Sequence, residues 1–82
     1  MKHILISNQD TVSDTWRVIY VEPHHGKDWH HDIQWDLSGA EAGDNAGRRH
    51  ALTGYPVYLT TDGIAKQLVT PRRILPLHND LA

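Results

Sequence analysis

Eighty-two residues allow one domain and one modest core, and the absence of cysteine excludes disulfides, thiolate zinc sites and cysteine nucleophiles. The formal net charge of −2 hides an asymmetry: residues 1–47 hold three bases against eight acids, and residues 48–82 five bases against two acids. Such a division marks a charged partner surface or head-to-tail association, unless the fold interleaves the two halves. The early apolar stretch Ile4-Leu5-Ile6 is too short for a signal-peptide core, and no stretch is long enough to span a membrane. The expectation is a soluble, cytoplasmic protein with no membrane partner.

In chain order, residues 3–6 are short and rich in branched side chains, so they read as a strand. Residues 7–14 are polar, with the turn formers Asn8, Asp10, Ser13 and Asp14. Residues 15–22 form the strongest strand pattern. Trp16, Val18 and Tyr20 share one side and Arg17, Ile19 and Val21 the other, so both faces are largely apolar and the strand should be central. Pro23 and Gly26 interrupt it. Residues 29–37 alternate, with Trp29, His31, Ile33, Trp35 and Leu37 on one face and His30, Asp32, Gln34 and Asp36 on the other. Trp16 and Trp35 are expected in the core, and Trp29 at the surface.

Residues 38–54 contain four glycines. Ser38 and Glu41 have capping-box spacing, but Gly43 and Gly47 weigh against a long helix, so a single helical turn inside a long loop is expected. Residues 55–60 read as a strand that Pro56 opens or places at an edge. The turn formers Thr61-Asp62-Gly63 follow. Residues 64–69 suit a return strand better than a helix capped by Asp62. Residues 72–77 give a last short strand, and 78–82 a frayed tail. The fold class is mainly β: a small antiparallel sheet or partly open barrel of five to six short strands with one long irregular loop. An α+β sheet with one short helix is the alternative.

The chemistry concentrates in residues 23–32, which hold four of the seven histidines in two doublets. If residues 26–29 were the loop of a hairpin, His25 would face His30 and His24 would face His31. Cross-strand Cβ atoms lie about 4.5–5.5 Å apart, and alternation would add Asp32 on the His30 face. His25, His30 and Asp32 would then form a three-ligand set for a divalent transition metal such as zinc. The competing reading is a polar hairpin tip with no cofactor.

The bulky aromatics are all Trp or Tyr, which suit surfaces with one apolar and one wet side. Residues 28–47 hold five acids and no lysine or arginine, a segment able to present carboxylates to a basic groove. Arg48-Arg49 and Arg72-Arg73 are too scattered for a basic groove, which disfavours direct nucleic-acid binding. No phosphate loop, nucleophile elbow or dinucleotide fingerprint is present, which disfavours an enzyme.

The function expected is that of a small non-enzymatic binding protein, of adaptor or inhibitor type, such as phages and mobile elements carry. Its expected surface comprises Trp29, His30, Asp32, Asp36, Glu41, Asp44, Arg48 and Arg49. The partner expected is a protein, with a nucleic-acid-handling enzyme as one candidate, and homo-oligomers are compatible with the pattern. The alternative is a metal-dependent enzyme or metal sensor built on the histidine hairpin.

Overall fold

The computed structural model describes residues 1–8 and 14–69. The strand expected at 72–77 and the tail at 78–82 lie outside the described residues. Among the described residues, five strands and one helix follow one another as β1 (His3–Asn8), β2 (Trp16–His24), β3 (Lys27–Leu37), α1 (Gly39–Thr53), β4 (Val57–Thr60) and β5 (Gln67–Val69). They form one sheet in the order β3-β2-β1-β4-β5. The mainly β expectation holds, and 64–69 does supply a strand.

The sheet is open rather than barrel-like, and it is mixed rather than wholly antiparallel. β1 pairs antiparallel with β2, and β2 with β3, whereas β1 and β4 run parallel. β3 and β4 therefore point the same way, and parallel strands need a crossover connection, which a short loop cannot provide. Helix α1 supplies it.

That helix corrects the loop expected at 38–54. Its start is the capping box read in the sequence: Ser38 Oγ accepts the Glu41 N–H at 3.1 Å, and Glu41 Oε1 accepts the Ser38 N–H at 3.0 Å. Its end is Gly54 in the left-handed conformation (φ 73°), whose N–H donates to the His50 carbonyl. Between the caps, Gly39, Ala42, Gly43 and Ala46 are buried at i, i+3, i+4 and i+7 spacing. The stripe that packs on the sheet is made of Ala and Gly, which a search for large apolar residues passes over. Burial of this face outweighs the glycine penalty.

The helix covers a core of Ile4, Ile6, Trp16, Val18, Leu37, Ala42, Ala46 and Val57. Leu5, Ile19 and Val21 form a second cluster on the opposite face, with Tyr58 packed against it. β2 is thus apolar on both faces, as its pattern required, and lies between two neighbours. β4 is also interior, so Pro56 opens the strand rather than marking an edge, and its carbonyl accepts the Ile4 N–H.

β3 departs most from expectation. Nine residues of β2 face eleven of β3, and the excess is taken up by register shifts between Trp16 and Val18 and between Val18 and Ile19. These bulges break the strict alternation read over 29–37. Asp36 takes a left-handed backbone (φ 57°) within the first. Trp35, expected in the core, is 47% exposed, and the Arg17 guanidinium lies 5.0 Å from the centre of its ring.

Candidate functional site

β1 begins at His3, opposite Val21. Beyond that point β2 and β3 continue together as a two-stranded ribbon whose residues 23–31 are exposed throughout. Its turn is tighter than the loop expected at 26–29. His24 pairs with Lys27, and only His25 (φ 50°) and Gly26 (φ 78°) lie between them. Two positive φ angles in a two-residue hairpin define a type I′ turn, the form whose twist matches the flanking strands. Glycine suits the second position because it has no Cβ to resist the left-handed region.

The turn sets the phase of the ladder. A β-turn bonds its first carbonyl to its fourth N–H, so His24 and Lys27 form a hydrogen-bonded pair. Alternation makes Glu22–Trp29 and Tyr20–His31 bonded pairs as well, and Pro23–Asp28 and Val21–His30 non-bonded pairs. Pro23 is therefore tolerated inside the strand. Its missing N–H would point away from β3, past the start of β1.

This register undoes the pairing on which the metal set rested. His25 sits at the apex of the turn rather than opposite His30, whose partner is Val21, while the backbone of Asp32 pairs with Ile19. Among the described residues, no group of three His, Asp or Glu side chains is placed to hold an ion.

What the ribbon does assemble is a row of rings on the helix side of the sheet. Tyr55 meets Tyr20 edge-on at 6.1 Å, and Tyr20 stands opposite His31. His31 lies 5.9 Å from Trp29, Trp29 lies 4.5 Å from His24, and His24 meets His25 at 4.3 Å. The root of the row is fixed. Tyr20 and Tyr55 pack against the main core. The Tyr55 carbonyl accepts the His50 Nδ1–H at 2.6 Å, and its N–H donates to Thr53 Oγ1 at 3.1 Å. The far end is open, with Trp29 52% exposed.

Four of the other expected partner residues, Glu41, Asp44, Arg48 and Arg49, lie on the helix rather than on the ribbon. Glu41 is engaged in the capping box, and the Ser38 N–H holds its carboxyl below the usual value. Asp44 and Arg48 form an exposed ion pair at 3.2 Å on the helix, so their charges largely cancel. Arg49 Nε points to Asn45 Oδ1 at 3.5 Å, and the buried Asn45 donates to Gln34 Oε1 at 2.8 Å, tying the helix to β3. Asp36 lies in a bulge, so the regular spacing expected between Asp32 and Asp36 is not kept. Trp29 and His30 remain on the ribbon. The reading from sequence missed the roles of Tyr20, Tyr55, His24 and His31; the signal for them was Gly26, which a two-residue turn needs at its second position.

No protein-family description matches the chain, and no curated protein or solved structure matches it either.

Proposed function

We propose that this chain is a non-enzymatic protein-binding domain of adaptor or inhibitor type, and that the ring-bearing face of the ribbon is its docking element. The observation that carries this reading is Trp29: a large ring, half exposed, in a pre-ordered row that projects beyond the core. Exposed tryptophan anchored beside other rings is the kind of group that dominates binding energy when a partner desolvates it. On the same face Glu22 pairs with Trp29 and Lys27 with His24, so one acid and one base flank the rings. The partner that fits is a folded protein with an apolar pocket for the indole, rimmed by charges that answer Lys27 and Glu22.

A nucleic-acid strand could stack on the same rings, but stacking platforms work with a basic groove. Here Lys27 is accompanied by the half-buried Glu22 and the exposed Asp28, which favours the protein. The presentation of carboxylates from residues 28–47 to a basic groove has less support, because Glu41 and Asp44 are engaged locally on the helix.

Capture from lysate of the source cells tests this reading when the immobilised wild type is compared with Trp29→Ala and, as a distant control, Asp44→Ala. A protein retained by the wild type and the control, and lost with Trp29→Ala, supports it. Equal retention by all three refutes it.

A further inference from the structure

The outer side of β3 carries a feature separate from the ring-bearing face. β3 ends the sheet order, and among the described residues no strand pairs with its outer side. The ladder phase shows which backbone groups are free there. Lys27, Trp29 and His31 direct their N–H and C=O toward β2, so Asp28 and His30 direct theirs outward. Both residues are exposed. The bulges distort the strand beyond Asp32, leaving residues 27–32 as a regular edge with no described strand on its outer side. The other side of the ribbon is blunted by Pro23, which has no N–H to offer.

A regular edge of this kind is a template for another strand, and the sequence along it is selective about register. In an antiparallel pairing of two identical edges, residues that meet must lie on the same face, so the two-fold axis passes through a residue. Centred on Asp28, the pairing sets two acids against each other. Centred on His30, it sets Asp28 against Asp32, again two acids. Centred on His31, it runs into the bulge at residue 33. Centred on Trp29, it sets Asp28 of each copy opposite His30 of the other, so the acid–imidazole pair occurs twice, and the two indoles meet at the axis. Lys27 then faces His31, an ammonium donor opposite an imidazole ring.

We infer that two copies of this chain associate through the outer edges of β3, antiparallel about a two-fold axis at Trp29. Asp28 and His30 supply both the exchanged backbone hydrogen bonds and the side-chain complementarity of a carboxylate opposite an imidazole. Such an interface is isologous and closes at two copies. Because the axis is perpendicular to the sheet, both helices stay on one side and the two ring rows lie side by side. The inference rests on the edge and its pairing, not on the reading of a separate protein partner, although Trp29 takes part in both.

The test is sedimentation equilibrium of the full chain alone, from micromolar to near-millimolar concentration, with circular dichroism to check the fold. A monomer–dimer equilibrium is expected. His30→Asp, which sets two acids opposite one another twice, and Asp28→Lys, which removes the acid from both pairs, should each weaken it, the former by about tenfold or more. The double variant reverses the pair and should return to within about threefold of wild type. The Asp28 and His30 amides should exchange freely in dilute solution and become protected as the dimer forms, while Trp29 and His31 are protected in both. A monomer at every concentration, a dimer indifferent to the single changes, or a double variant no better than the singles overturns the inference.

Discussion

Replacing Trp29 with alanine should cost far more in partner binding than in folding, and the structure sets both magnitudes. The ring is 52% exposed. An aromatic side chain buries about 150–250 Å² when fully enclosed, so roughly 100 Å² remains for a partner to cover. At about 25 cal/mol per Å² that is near 2.5 kcal/mol, from which ordering the side chain removes about 0.5–1.5 kcal/mol. The remainder corresponds to about a five- to thirtyfold loss in affinity at about 1.4 kcal/mol per decade. On the folding side, the enclosed half of the ring lies on His24 and His31. Its loss is at most about 2 kcal/mol once residual burial in the unfolded chain is discounted, and much of it will appear as fraying of the ribbon. Titration of the captured partner by calorimetry, beside a thermal melt of the variant, separates the two effects. Global unfolding of Trp29→Ala at room temperature, or unchanged affinity with the fold intact, would refute the reasoning.

Gly47 lies within α1, and a Cβ added there meets nothing within 4 Å. Gly47→Ala should stabilise the domain by about 0.8–1 kcal/mol, a rise in melting temperature of roughly 4–8 °C, with partner binding unchanged. Gly26→Ala forces a Cβ into the left-handed turn position (φ 78°); it should cost about 1–2 kcal/mol and loosen amide protection at Trp29 and His31 while sparing β1 and β4. The Glu41 carboxyl is held below its ordinary value by the Ser38 N–H, and that of Asp62 by the Ile64 and Ala65 N–H groups. A depressed folded-state value means that this stabilisation is present above the ordinary carboxylate values of 4.5 and 3.8 and fades as pH falls below them. Denaturant melts from pH 6 to pH 3 should show that loss, and Glu41→Gln should flatten part of it; an identical slope in the variant would contradict the assignment.

Much of the sheet was legible because its signals are local. Trp16 to Val21 alternates two apolar sets, which only a central strand can bury, and β2 is that strand. Pro56 marked a strand opening, and the Asp62 turn led to a return strand. The helix was half legible. Its capping box was visible, but its buried stripe consists of Gly39, Ala42, Gly43 and Ala46, whose hydropathy says little until an opposing sheet is known. β3 shows how a period-2 reading can succeed at both ends and fail between them. The two added residues on β3 restore parity, so Trp29, His31 and Leu37 do share the helix side. Trp35 lies within the irregular stretch and turns toward Arg17 instead. Bulges depend on how a neighbouring strand is paired, and no single strand's pattern reports that. The histidine pairing assumed for the metal set was not kept, for a related reason: a turn of two residues rather than four moved every histidine to a different neighbour.

The ribbon's suitability for docking follows from where its order comes from. A two-stranded hairpin alone is marginal in water, and an exposed ring on a mobile hairpin would lose much of its binding energy to ordering. Here β2 and β3 enter the ribbon directly from the sheet, and the last β2 residues before it, Ile19 and Val21, are fully buried. At the other end the type I′ turn fixes the twist. Between these two fixed points the rings hold one another, from Tyr55 at the helix terminus to His25 at the tip. The chain thus keeps its exposed indole in one place without enclosing it. If this is correct, strengthening the core and strengthening the turn should act differently. Gly47→Ala should raise global stability with no change in affinity, whereas His25→Asn, the residue preferred before glycine in such turns, should leave the melt nearly unchanged and tighten binding by slowing dissociation. Surface plasmon resonance on the identified partner distinguishes the two, and a His25→Asn variant that binds no more tightly despite a better-protected ribbon would show that pre-ordering is not what the turn contributes.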